Sequence, residues 1–234
     1  MTNFMEQFWT ITGNSPYKTV EVAGEFARLK VNGVDHQQLF AKSPRLIVQK
    51  KGKGDVIIVG PPDHVFISDK LRVLLKEMNA TGYDLLPADV KLTFPHKAEE
   101  SVYWQLVVTG WGGVAPPESG VKEVLAEPGR AREFSFPTNT SKLIDPGQYD
   151  GSDFFRFWPY PADIVVSDRV KTLFDDERIK YCKFFPLSEI DESNRMSTVL
   201  KETTQALPLA LYFPLDRAEQ VGRHLGIDWY EFSW

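Results

Sequence analysis

Pro62 to Pro87 aligns without gaps onto Pro161 to Pro186, an offset of 99 positions at both ends. Self-similarity at a fixed spacing constrains a fold more than any single motif, because each copy must build the same supersecondary unit and bury the same apolar face. The copies read PDHVFISDKLRVLLKEMNATGYDLLP and PADIVVSDRVKTLFDDERIKYCKFFP. Matched pairs include Val65/Ile164, Ile67/Val166, Ser68/Ser167, Asp69/Asp168, Lys70/Arg169, Leu74/Leu173 and Leu75/Phe174.

Each copy predicts a strand, a helix and a returning strand. Val65-Phe66-Ile67 and Ile164-Val165-Val166 are short β-branched and aromatic runs entered through a proline region, the pattern of a buried strand. Ser68 and Ser167 then stand where a hydroxyl can accept from the open N–H groups of a first helical turn. Asp69 and Asp168 place negative charge at the positive end of the helix dipole. Leu71, Leu74, Leu75 and Met78 follow at helical spacing, matched by Val170, Leu173 and Phe174. Gly82 is expected to close the first helix, and Tyr83 to Leu86 and Cys182 to Phe185 to return as strands. A serine beside a carboxylate also suits nucleophilic chemistry, but the pair recurs at both helix starts with no histidine near either in sequence, so capping is the better reading.

Outside the copies, Arg45 to Gln49 and Asp55 to Val59 flank a turn-prone Lys-Lys-Gly-Lys-Gly run and predict a hairpin. Val102 to Thr109 predicts a strand, and Gly110 to Arg132 a long loop. A tight polar turn is expected before the strand Phe154 to Trp158. Leu207 to Phe213 reads as a strand, Asp216 to Leu225 as a helix closed by Gly226, and Trp229, Tyr230, Phe232 and Trp234 as a tail docked on the body. The expected architecture is α+β, one domain over residues 1–234. It contains two diverged strand-helix-strand halves, with repeat cores 62–87 and 161–186, mainly antiparallel sheet and one shared core.

With 234 residues, 42% apolar and 25% charged, the chain has the composition of an ordinary globular protein. The first residues carry no basic region or apolar run of signal-peptide length, and one cysteine, Cys182, excludes an internal disulfide. A cytoplasmic protein without membrane association is expected. A net charge of −5 lacks the positive field that drives phosphate binding, so no nucleic acid partner is expected. His36, His64, His96 and His224 are scattered without metal-ligand spacing, and Gly52-Lys53-Gly54 precedes a strand where a dinucleotide loop must follow one. Cys182, inside a predicted strand, reads as an inert buried thiol. No catalytic, cofactor-binding or metal-binding residue is assigned.

The run Asp150-Gly151-Ser152-Asp153-Phe154-Phe155, then Trp158-Pro159-Tyr160-Pro161, Ile164-Val165-Val166-Ser167-Asp168-Arg169 and Lys183-Phe184-Phe185-Pro186-Leu187 resembles the C-terminal signature of immunity proteins from bacterial polymorphic-toxin systems, a group that includes the double-CxxCG-motif immunity proteins. The resemblance spans roughly Arg45 to Ile190. Both cysteine pairs of that subgroup are missing here, which removes any implication of zinc. The resemblance implies a non-catalytic cytoplasmic antidote that binds one cognate toxin protein.

Interface hot spots favour Trp and Tyr, and charge complementarity sets on-rate, so Trp111, Trp158, Tyr160 and the acidic Asp175-Asp176-Glu177 are the candidate partner-binding residues. Trp158 ends a predicted strand and suits a core position as well. The competing expectation is an enzyme or small-ligand binder whose pocket lies between the repeats, lined by Trp111, Trp158 and Tyr160. A module that pairs with itself as a homodimer is a third.

Overall fold

Residues 64–86 and 164–186 each fold as a strand, a serine-capped helix and a returning strand. The structure, a computed structural model, describes residues 8–13, 20–31, 34–48, 54–59, 64–92, 102–125, 132–135, 143–187, 204–206 and 209–226. In chain order the strands are β1 (Phe8–Gly13), β2 (Val20–Ala23), β3 (Phe26–Val31), β4 (Val34–Ala41), β5 (Arg45–Val48), β6 (Val56–Val59), β7 (His64–Ser68), β8 (Tyr83–Leu92), β9 (Tyr103–Val108), β10 (Gly110–Val114), β11 (Lys122–Leu125), β12 (Arg132–Ser135), β13 (Phe154–Trp158), β14 (Ile164–Ser167), β15 (Cys182–Pro186) and β16 (Thr204–Ala206). The α-helices are α1 (Asp69–Glu77), α2 (Asp168–Asp176) and α3 (Leu215–Leu225).

Ser68 precedes α1 at φ −69°, ψ 161° and accepts from the Leu71 N–H; Ser167 precedes α2 at φ −71°, ψ 161° and accepts from the Val170 N–H. The helix ends match as well. Asn79 and Arg178, 99 apart, take left-handed φ values of 53° and 51°, and their N–H groups donate to Lys76 O and Asp175 O. Immediately before each returning strand a further left-handed pair follows, Gly82 at φ 82° and Tyr181 at 73°. The expectation that Gly82 ends the first helix is therefore corrected: Asn79 does so, a residue type whose short polar side chain tolerates this region, and Gly82 turns the chain into β8.

A six-stranded sheet has the order β2-β5-β8-β9-β7-β6 and a five-stranded one β10-β13-β14-β1-β15; β11-β12-β16 and the hairpin β3-β4 complete the described strands. Among them only β5/β8 and β10/β13 are parallel, so the fold is α+β with mainly antiparallel sheet. Within the larger sheets β6-β7-β9-β8 corresponds to β13-β14-β1-β15. The registers agree position for position: Ile67 faces Trp104 as Val166 faces Trp9, and Leu85 faces Leu106 as Phe184 faces Ile11. The slot that β9 fills from just downstream of β8 is filled in the second unit by β1, which precedes both units in the chain.

Strand alternation then distributes the core. Val65 and Ile67 of β7 and Ile164 and Val166 of β14 face the helices, where they join Leu71, Leu75, Val170 and Phe174 in one apolar cluster that also contains Ile11, Leu106, Val108 and Phe154. On the opposite faces the units part company. Phe66 packs with Leu46, Ile57 and Tyr103, and Val165 with Phe8, Leu143, Phe155, Phe157 and Tyr160.

Three further expectations are corrected. The segments at 45–49 and 55–59 form no hairpin: β6 pairs with β7, which sets Asp55 beside Ser68, while β5 lies between β2 and β8. The Gly110 to Arg132 loop contains β10 and β11. Its glycines are what admit a strand there, since a Cβ on Gly110 would lie 2.1 Å from Phe154 O and one on Gly112 2.6 Å from the Phe155 ring. Within the expected strand Leu207 to Phe213, Leu209–Leu211 is a 3-10 turn. Gly226, left-handed at φ 66°, does close α3. The aromatic tail from Trp229 lies outside the described residues. No helix among the described residues is long and apolar enough to cross a membrane.

Removing a cap tests the matched geometry. Ser68→Ala is expected to lower the unfolding free energy by about 1 kcal/mol. Ser167→Ala should cost about 2 kcal/mol, because it also strips a donor from a buried carboxylate. Urea unfolding of the two variants checks this, and equal losses would contradict it.

Candidate functional site

Where the two units meet, their polar contacts come in reciprocal pairs. Asp153, with a side chain 4% exposed, lies at the entry to β13. Its Oδ1 accepts from Ser167 Oγ at 2.6 Å, and its Oδ2 accepts the Thr81 N–H at 3.1 Å from the other unit. Phe154 and Asp153 return the contact, donating their N–H groups to Thr81 O and Thr81 Oγ1. Asp55 holds the matching place at β6. It accepts from Ser68 Oγ at 3.3 Å and from the Lys180 N–H at 3.4 Å, Lys180 lying 99 positions after Thr81. The first-turn cations cross over as well: Arg169 Nη2 donates to Met78 O at 2.8 Å and Lys70 Nζ to Glu177 O at 3.2 Å. Each helix thus has an open C-terminal carbonyl satisfied by a cation from the other unit, a favourable place for positive charge. This is the logic of an isologous dimer interface built within one chain.

A second matched pair lies at the helix starts. Trp104 on β9 donates its indole N–H to Asp69, and Trp9 on β1 donates to Asp168, both at 3.1 Å. Arg72 sits 5.0 Å over the Trp104 ring and Lys171 4.9 Å over the Trp9 ring, within reach of a cation–π attraction. Hydrogen bonds from Arg72 and then Trp104 hold the Asp69 carboxyl below the usual carboxylate range.

The serine–aspartate pairs are therefore structural contacts. Each hydroxyl donates to a strand-entry carboxylate and accepts a helix N–H, so each serine ties a helix start to the entry of the neighbouring strand. Among the described residues no group of three or more His, Cys, Asp or Glu is placed to hold a metal ion. Burial, followed by the nearby Asp55 and Asp175 carboxylates, pushes the Cys182 thiol up to about 12.

The aromatic candidates are not surface anchors. Trp111 and Trp158, 5% and 3% exposed, pack with Leu209 to Phe213, Ala218 and Val221 beneath the 3-10 turn and α3. Tyr160 joins a different cluster with Phe8, Phe155 and Phe157. The three aromatics, expected together beside the repeats, are divided between two clusters, and the polar contacts of the junction come from Asp55, Lys70, Thr81, Asp153 and Arg169. The physical reason is that β10 and β13 form the end of the five-stranded sheet that α3 covers, with Arg217 tying the helix down to Thr109 O and Asp150.

Asp175, Asp176 and Glu177 are exposed at the C-terminal end of α2. Asp175 pairs with Lys171, Glu177 lies 4.0 Å from Lys70, and Asp176 has no partner among the described residues. The matched positions on α1 are Lys76, Glu77 and Met78. Three acids at the negative end of a helix dipole oppose the usual preference, whereas Lys76 obeys it.

Sequence reasoning passed over Asp55, Asp153, Trp9 and Trp104. Asp55 stands 13 residues before its serine and Asp153 14 before its own, and that single-residue difference lies outside an ungapped alignment. No family model matches this chain, and no curated protein matches it either.

Two outcomes test the junction. Asp153→Ala should destabilise by roughly 3 kcal/mol, because it leaves the Ser167 hydroxyl, the Thr81 N–H and one face of Arg169 without their acceptor; the more exposed Asp55→Ala should cost about 1 kcal/mol. Cys182 should resist iodoacetamide at pH 8 in the native protein and react readily in urea, where its pKa returns to about 8.5. Equal alkylation rates in both states would contradict its burial.

Proposed function

We propose that this chain is a non-catalytic binding protein of the immunity type, acting in the bacterial cytoplasm, that neutralises a cognate toxin protein through the acidic end of α2. The observation that carries the reading is the divergence of two matched helix ends. The helix lengths and serine caps match and each C-terminal carbonyl takes a cation from the other unit, yet Lys76-Glu77-Met78 in one unit is Asp175-Asp176-Glu177 in the other. Placing three carboxylates at a helix C-terminus opposes the dipole by about 0.3–1 kcal/mol each at an exposed site. A scaffold tolerates such an arrangement most readily where the charges serve a partner. The fitting partner is a basic protein surface, which a negative cluster would steer into register and draw in at a raised on-rate. The likeness of segments 150–155, 158–161, 164–169 and 183–187 to immunity proteins supports the same reading.

The test is protection and association with the product of a neighbouring toxin gene. The wild-type chain should co-purify with that toxin and protect cells expressing it. The variant Asp175→Asn, Asp176→Asn, Glu177→Gln should associate about tenfold more slowly at low ionic strength, with the difference shrinking as salt screens it. An unchanged low-salt association rate removes this patch from the interface, and failure to protect against any adjacent toxin removes the immunity reading.

A further inference from the structure

We infer that β1 is a separable closing strand, and that the gap between β14 and β15 is a strand-accepting slot able to take this same segment from another copy of the chain. Both strand edges of the slot come from one short stretch, Ile164–Ser167 and Cys182–Pro186. Its occupant arrives from far away in sequence, the contact between Trp9 and Asp168 spanning 159 positions. In the first unit the same slot is filled by β9, which follows β8 directly. β1 is therefore joined to its slot by pairing and packing, not by local chain connection.

The recognition is specific on three counts. Both edges of β1 are paired: Thr10 faces Val165 on one side and Phe185 on the other, and the Thr10 hydroxyl donates to Phe185 O at 3.4 Å. The side chains divide between two cores, with Phe8 buried among Phe155 and Val165 on one face and Ile11 among Ile164 and Phe174 on the other. Trp9 adds a polar latch, its indole bonded to Asp168 and stacked under Lys171. A segment with backbone bonds along both edges and alternating pockets for its side chains is bound as strand-addition ligands are. When such an element is exchanged between identical chains the result is a swapped dimer.

The experiment keeps the whole chain and inserts a protease site between residues 14 and 19. The cleaved protein is unfolded in urea and refolded with an excess of fluorescent peptide covering residues 1–13. The expected result is recovery of the native tryptophan emission with one labelled peptide bound per chain, and at least about tenfold less uptake of a Thr10→Pro peptide, since proline removes a ladder N–H from a strand paired on both sides. A cleaved protein that sheds its own 1–13 segment while keeping the native spectrum overturns the proposal. So does one that aggregates on cleavage or on refolding with excess peptide, or one that binds the two peptides equally. On the intact chain, refolding at high concentration should yield a dimer whose exchange is trapped by cysteines at Thr12 and Lys183, facing positions in the register, in a Cys182→Ser background; purely intramolecular cross-linking at every concentration tells against exchange between copies.

Discussion

A carboxylate taken almost wholly out of water, that of Asp153, sets the arrangement of everything around it. A charge so placed survives only if several donors meet it, and here they come from both halves: Ser167 and Arg169 from its own unit and the Thr81 backbone from the other. Displacing either unit would leave buried polar groups without partners, so the apolar cluster the helices share is not free to slide, as an oily interface alone would be. Hydrophobic burial supplies most of the driving force, whereas this network selects one relative placement. Asp55 repeats the scheme with fewer donors, and the pseudo-symmetric contact pairs follow from that repetition.

Once the core and the clamps are common to both units, differences between them stand out on the surface. The two helices have equal lengths, equal caps and equivalent cross-unit cations, so helix stability by itself gives no reason for their C-terminal turns to differ in charge. Lys76 complements its dipole while Glu77 opposes it; Asp175, Asp176 and Glu177 all oppose theirs. Lys171 and Lys70 offset part of that cost through Asp175 and Glu177, but exposed pairs of this kind are worth little. The acidic turn is thus slightly unfavourable for the helix.

Local physics made much of this fold legible in the sequence. Ser68 and Ser167, the β-branched runs before them and the helical spacing after them each act within a few residues, and the caps, helices and returning strands appear where those signals put them. What escaped depends on distant partners. Gly110 to Val114 looks like a loop until Phe154 and Phe155 are beside it, because only then do missing side chains become a reason for close approach. Trp111 and Trp158 look like anchors until α3 and residues 209–213 cover them. Asp55 and Asp153 resemble any surface carboxylates, and the one-residue difference in their spacing hides their equivalence. β1, whose FWTITG shares one identity, the tryptophan, with the YWQLVV of β9, is too short a match to stand out in the sequence as an occupant of the same slot.

The unusual route by which β1 reaches that slot costs less than its length suggests. Closing a chain segment costs roughly (3/2)RT ln n, so the ratio of 159 positions for the Trp9–Asp168 contact to 35 for Trp104–Asp69 corresponds to only about 1.3 kcal/mol. Burying Phe8 and Ile11, 3% and 6% exposed, returns roughly 1.5–3 kcal/mol each. Two apolar side chains therefore more than offset the entropy of fetching the strand from the far end of the described chain. Because β1 serves unit two while the chain leaving it enters unit one, its docking links the stabilities of the two halves: a molecule with an empty slot loses part of the core that α1 and α2 share. Cooperativity across the whole domain then follows from topology as well as from the buried carboxylate.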